Sequence, residues 1–214
     1  MRKYVYLALL ISVAFTSSAQ KPGAVFDVAS YVFGLTLSDS SDKIQGISEI
    51  ECWILKETDS IMLDLISKKS NGKGMTVISV KDQNRRLQFE HKNDLLTIRL
   101  GEKMKRNVNM IVTIQYEGIP ADGLIITNNK YKHRGFFADN WPNRARNWLP
   151  CVDHPADKAP VDFKIKAPDH YQVVANGIQV EETSLGKNLK LTHYKETVPL
   201  STKIMVIGVA AFAV

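Results

Sequence analysis

The sequence predicts an all-β fold, a large antiparallel saddle or sandwich of many short strands. Three observations predict it. Apolar residues recur with a period of two along most of the chain, which puts one set of side chains on a buried face and the other outward. Glycine, asparagine, aspartate and proline fall between these runs, where strands must turn. No stretch keeps the three-and-four apolar spacing of a helix over a helical length.

The elements follow in order. Tyr31, Phe33, Leu35 and Leu37 alternate with Val32, Gly34 and Thr36. Ile50, Cys52 and Ile54 alternate with Glu51 and Trp53. Shorter strands are expected at 61–65, 75–80 and 95–100. Asn71-Gly72, Gly74, Asn93-Asp94 and Gly101 supply the turns between them, and Asn-Gly pairs provide the positive φ that tight hairpins need. Val108, Met110, Val112, Ile114 and Tyr116 form the longest alternating run, closed by Pro120 and Asp122-Gly123. Val161, Phe163 and Ile165 alternate with Asp162 and Lys164. Further strands are expected at 171–175 and 187–194, around Asn176-Gly177 and Gly186. A turn or two of helix is the most that fits near 156–159. The final run, 204–214, is almost wholly apolar and reads as a strand buried on both faces. A domain that stops on such a strand without a polar tail reads as interrupted.

Of the 214 residues, 44% are hydrophobic and 23% charged, which supports a full-sized core and excludes the disordered, collagenous and disulfide-scaffold classes. Residues 1–19 stand apart: Arg2 and Lys3, an uncharged apolar run, then Ser17-Ser18-Ala19. This is a secretory signal pattern, and the run is short for a membrane anchor. The mature chain, 20–214, then begins at Gln20 and is periplasmic or extracellular, with no membrane segment after signal removal. The net charge of +6 reflects only a mild basic excess. Lys103, Lys105 and Arg106 beside Gly101 read as a solvated turn, so no nucleic-acid partner is expected. Cys52 and Cys151 are too few to make a disulfide framework. Cys52 shares a face with Ile50 and Ile54 and is expected in the core, unpaired.

The motifs of hydrolytic chemistry are missing. His91, His133, His154, His170 and His193 include no H-E-x-x-H pairing, so no catalytic residue and no metal ligand is assigned. No C-x-x-C, G-x-S-x-G, G-x-G-x-x-G or phosphate-binding loop occurs. The densest chemistry is the stretch 135–158, which holds Phe136, Phe137, Trp141 and Trp148 among prolines, arginines and carboxylates. Long polar-aromatic loops on a β scaffold are where binding usually resides. Arg144 or Arg146 can pair with Asp153 or Asp157, either at a binding site or simply to lock the loop.

Within that stretch, Ala145-Arg146-Asn147-Trp148-Leu149-Pro150-Cys151-Val152-Asp153-His154-Pro155-Ala156-Asp157-Lys158-Ala159 resembles a block of the N-terminal domains of M1 zinc aminopeptidases. Ile44-Gln45-Gly46, Tyr116-Glu117-Gly118, Val174-Ala175-Asn176-Gly177 and Pro199-Leu200-Ser201-Thr202 resemble further blocks of the family, in the family's order. The resemblance implies a saddle-shaped β domain that packs on a thermolysin-like catalytic domain. That domain carries the zinc ligands, the general-base glutamate and a Gly-x-Met-Glu-Asn strand, all absent from this sequence. The only cofactor is therefore the partner domain's zinc, with none in this chain, which by itself is expected to be inactive. The resemblance also places a pocket Gln or Glu of many members at Asp139 and Trp141, where this chain departs from the pattern. It puts Asp139, Asn140, Trp141, Arg146 and Trp148 at the substrate cleft or domain interface, with Trp141 and Arg146 near its centre and Cys151 toward the neighbouring domain. The resulting expectation is a non-catalytic domain or fragment of an exported aminopeptidase, partnered by an M1 catalytic domain and meeting peptide only indirectly. The alternatives are an exported β-sandwich module whose tryptophan-rich loop binds peptide or glycan, and a structural domain whose catalytic partner is separately encoded.

Overall fold

The computed structural model describes residues 24–83 and 85–212. The signal read over 1–19 lies outside the described residues. Along the chain run β1 (Phe26–Ser38), β2 (Ser41–Ile54), β3 (Thr58–Asp64), β4 (Gly74–Asp82), β5 (Arg85–Arg86), β6 (Gln88–Lys92), β7 (Leu95–Met104) and β8 (Asn109–Ile119). Then come β9 (Leu124–Asn128), β10 (Arg134–Ala138), β11 (Lys158–Pro168), β12 (Gln172–Ala175), β13 (Ile178–Gly186), β14 (Leu189–Ser201) and β15 (Ile207–Ala210). Short 3-10 turns occupy Ala145–Asn147 and Thr202–Ile204. No helix among the described residues is long and apolar enough to cross a membrane.

Three sheets form. The largest has eight strands in the order β13-β14-β11-β1-β2-β8-β4-β5; the others are β12-β15-β10-β9 and β3-β7-β6. The alternating runs pair as their patterns require. β1 and β2 make a tight hairpin, Ser38 opposite Ser41, and keep Phe33 and Ile50 inward. One pairing departs from the antiparallel expectation: β11 runs parallel to β1, with Tyr31 opposite Val161 and Phe33 opposite Phe163. A parallel neighbour needs a long connection, and the ten elements between β1 and β11 supply it.

One continuous core joins the sheets. Phe33, Ile50, Ile114 and Phe163 enter it from the large sheet, Ile61 and Ile98 from the three-stranded one, and Phe136 and Val209 from the four-stranded one. Cys52 sits there between Ile50 and Ile54, unpaired, as its face predicts.

Several local expectations are corrected. Residues 156–159 carry no helical turn; a tight turn ends and β11 begins at Lys158. Over its described part, 204–212, the final run is not a strand buried on both faces. β15 spans four residues, with Ile207 and Val209 inward and Gly208 and Ala210 partly open, while Ile204 and Phe212 are exposed. Its outer face is covered by no other sheet among the described residues. Gly101 lies within β7 rather than in a turn, at φ +83°, where the pairing with β3 jumps from Ser60–Arg99 to Thr58–Met104. β9, β10 and β13 have no strand signal in the alternation. β13 is exposed at every position, and β10 carries Phe136 and Phe137 side by side.

Candidate functional site

The stretch between β10 and β11 is stapled to the Thr202–Ile204 turn. Asn140 is buried; its Nδ2 donates to the carbonyls of Thr202 at 3.1 Å and Met205 at 2.6 Å. Its Oδ1 accepts the indole N–H of Trp148 at 2.9 Å. Trp148 has no accessible surface. Asn140 and Trp148, expected at a cleft or interface, are therefore internal struts of the loop: a fully covered side chain has no surface left for a partner. Gly123 lets this packing close. It adopts φ +76°, and a Cβ there would stand 2.2 Å from the Arg144 carbonyl.

Arg146 is the second strut. Its Nε donates to Asp153 Oδ2 at 3.0 Å, one terminal nitrogen meets Asp64 Oδ1 at 3.1 Å and the other reaches the Asp153 carbonyl at 3.1 Å. Asp153 is buried and also accepts from Thr202 Oγ1 at 2.9 Å, while its N–H donates to Asp64 Oδ2. Burial works against the Arg146 charge, but the hydrogen bond to Asp153 and the charges of Asp64 and Asp153 outweigh it and hold its pKa above the ordinary value. Of the pairings open to Arg144 and Arg146, the one formed with the expected partners is Arg146–Asp153. Asp157 instead accepts from the Tyr31 hydroxyl at 3.2 Å.

Cys151 lies beside this cluster, fully buried, with its backbone bridged to Asp64. It faces the interior of this domain, which corrects its placement toward a neighbour. Burial, with the charges of Asp153 and Asp64, pushes its thiol pKa well up, so it is no nucleophile.

Asp139 and Trp141 remain open. Arg144 bonds Asp139 Oδ2 and the Trp141 carbonyl, both at 2.5 Å, and reaches Asp122 at 3.4 Å. The Trp141 ring is 59% exposed and carries the Lys203 ammonium 4.7 Å from its centre. Asp139, Trp141, Arg144 and Lys203 thus form a charged, aromatic rim at one end of the four-stranded sheet. Asp139 can offer a carboxylate to a cation, and Trp141 a flat apolar surface. Asp64, Asp122 and Lys203 were not singled out from the sequence, because partners so distant along the chain leave no spacing signal.

A groove of about 440 Å³ lies elsewhere, on the outer face of the large sheet, lined among others by Val32, Gly34, Ile47, Gln115 and Lys164. None of its lining residues comes from 135–158. Among the described residues, no three His, Cys, Asp or Glu side chains are grouped to hold a metal ion.

Comparison with known proteins follows the same lines. The sequence model of the peptidase M1 N-terminal domain matches residues 28–204. A probable aminopeptidase 2 of Sulfurisphaera tokodaii is 25% identical over 142 residues, covering 65% of this chain and 17% of that protein. A leucyl aminopeptidase of Saccharolobus solfataricus is 21% identical over 186 residues, covering 85% and 22%. An M1 zinc metallopeptidase from Deinococcus radiodurans superposes with a TM-score of 0.74 at 22% identity, over 86% of this chain and 42% of that one. A variant from the same organism, bound to a Tyr-Ser-Ala substrate, gives a TM-score of 0.74 at 20% identity over the same shares. The chain thus spans about a fifth of those curated relatives and under half of those solved chains.

Proposed function

Because the chain belongs to the peptidase M1 N-terminal domain family, we propose that it serves as the non-catalytic wall of an exported zinc aminopeptidase that removes N-terminal residues from peptides. The observation that carries this reading is the family match over 28–204 on a three-sheet fold shared with M1 metallopeptidases. The chain covers only 42% of such a solved neighbour, and the peptidase chemistry is assigned to the part it does not cover. The described residues do not fit the family's zinc, since they offer no donor set for it.

This chain's own contribution is the rim. In this reading Asp139, held by Arg144, borders the substrate cleft and attracts the ammonium end of a peptide. Trp141 covers the apolar part of the same end. Asn140, Trp148 and the Arg146–Asp153 pair hold both in position from beneath. The signal pattern of residues 1–19 supports export, and the proposed location is the periplasm or the cell exterior.

The test is metal analysis of the purified chain together with a chromogenic aminoacyl-anilide assay. The expected result is no stoichiometric zinc and no chelator-sensitive turnover. One tight zinc per chain with turnover that a chelator abolishes would refute the reading.

A further inference from the structure

The end of β7 opens a groove between two sheets. Its pairing with β3 slips from Ser60–Arg99 to Thr58–Met104, so that the residues from Leu100 to Lys103 stand against Asp59 alone. Gly101 takes φ +83° within this slip. An irregularity of this kind bends the strand and re-aims the side chains beside it. Arg85, on the edge strand of the large sheet, lies against the opening: a Cβ on Gly101 would stand 3.7 Å from its Nη1. Its Nη2 donates to Asp82 Oδ2 and to the Leu100 carbonyl, both at 3.2 Å. Arg85 thereby ties β5 to the three-stranded sheet. The groove that remains measures about 620 Å³, and its lining includes Arg85, Arg86, Arg99 and Lys103, with Leu87 and Gln88. Lys103, read from the sequence as part of a solvated turn, belongs instead to β7 and to this lining.

The charges of the groove do not balance. Four basic residues line it against two acidic ones, Asp59 and Glu102. Arg85 meets Asp82 and, at 4.0 Å, Glu102, while Lys103 meets Glu57 at 3.6 Å. Asp59 accepts from the Ser60 hydroxyl at 3.0 Å. Arg134, Arg144 and Arg146, elsewhere in the chain, all face carboxylates. Arg86 and Arg99 pair with no carboxylate among the described residues. Arg86 also stands directly opposite Lys81 across the β4–β5 pair, both of them exposed. Like charges so placed repel each other, and an anion beside Arg86 relieves that repulsion. Arg99 stands opposite Gln88, whose amide adds two further donors. Free guanidinium groups gathered in a concave setting raise the local concentration of anions.

We infer that this groove binds a small soluble ligand carrying two or more oxyanion groups, phosphate or carboxylate, held between Arg86 and Arg99. A guanidinium fork meets two oxygens of one such group at once, and two free forks match two groups. The volume lies in the range of small-molecule sites and is more than a lone ion fills. The lining contains no aromatic ring on which a base could stack, which sets a nucleic acid aside. It also contains no exposed large apolar side chain to enter a bilayer, which sets a membrane surface aside. None of the lining residues comes from 135–158, so the site is separate from the rim and goes beyond the function proposed above.

The test is titration calorimetry of the purified chain with pyrophosphate, citrate and orthophosphate at two ionic strengths. Saturable one-to-one binding of pyrophosphate or citrate is expected, about tenfold or more tighter than orthophosphate and weaker at the higher salt. Arg86→Gln and Arg99→Gln should each weaken it by about tenfold or more, and Arg86→Lys, which keeps the charge and loses the fork, should recover only part. Lys164→Gln and Lys166→Gln make the same charge change on the outer face of the large sheet and should leave binding intact. A melting temperature of the unaltered chain that rises with pyrophosphate, and not with sodium chloride at equal ionic strength, reports the site without any substitution. Weak and equal responses to all three anions, or equal losses in the Lys164→Gln and Lys166→Gln variants, mean nonspecific screening and overturn the site. Tight binding that survives both Arg86→Gln and Arg99→Gln places the ligand elsewhere and overturns the assignment. Binding to phosphatidylglycerol vesicles without any response to the soluble anions makes a membrane surface the source and also overturns it. None of these results bears on the M1 reading.

Discussion

At the residue scale, two tryptophans that look equivalent in the sequence do opposite work. Trp148→Ala removes a fully buried ring and leaves Asn140 Oδ1 without its donor. It should cost about 3–5 kcal/mol in urea unfolding. Trp141→Ala removes an exposed ring and one ammonium contact, and should cost about 1 kcal/mol or less. Equal losses at both positions would refute this division. The cysteines give a second prediction. Both are unpaired and buried, so a thiol reagent should find two thiols only after denaturation, with or without reductant. Burial, helped by the Glu51 charge, pushes Cys52 from an ordinary 9.0 to about 12. The folded state therefore holds a proton that the unfolded chain releases above pH 9.0. Stability from this source is complete below that pH and falls as pH rises toward about 12. Cys151 is shifted in the same direction. Urea midpoints measured from pH 8 upward should decline, less steeply in Cys52→Ala; a flat profile would contradict the assignment.

At the element scale, β10 shows how a strand divides its side chains. Phe136 and Phe137 are neighbours of the same type, yet the first has 1% of its surface accessible and the second 46%. Phe136 packs edge-on against Tyr171, with Arg134 over its ring. Phe136→Ala should therefore cost about 3–5 kcal/mol. Phe137→Ala, facing away, should stay within about 0.5 kcal/mol of the unaltered chain by chemical denaturation. A reversal would mean that β10 is shifted by one residue, since a one-residue slip exchanges the two faces.

At the scale of the whole molecule, the three sheets share one core rather than three. Arg146 reinforces this by tying the loop before β11 to the end of β3, through Asp153 and Asp64. The domain should therefore unfold in a single transition, with tryptophan emission and far-ultraviolet circular dichroism falling together. Separate midpoints would mean that a small sheet melts by itself. Asp153→Ala should lower that one midpoint, at a cost of about 1–3 kcal/mol, because it leaves Arg146 with Asp64 as its remaining carboxylate and takes the acceptor from the buried Thr202 hydroxyl.

What the sequence determined by itself was the fold class, the long strands and the family. Alternation is a local property: Tyr31 to Leu37 and Val108 to Tyr116 declare their inward faces without reference to any other segment. The block from Ala145 to Ala159 carries the family because its residues stand together in the chain. For the same reason the sequence narrowed the loop's pairing to Arg144 or Arg146 with Asp153 or Asp157, of which Arg146–Asp153 forms. Only the tertiary structure decided the rest. It set β11 parallel to β1, added Asp64 to the Arg146 cluster and brought Lys203 over Trp141. It also turned Trp148 and Asn140 inward while leaving Trp141 and Asp139 at the rim. These outcomes depend on which distant segment lies across the gap, and burial is a property of that neighbour as much as of the residue itself.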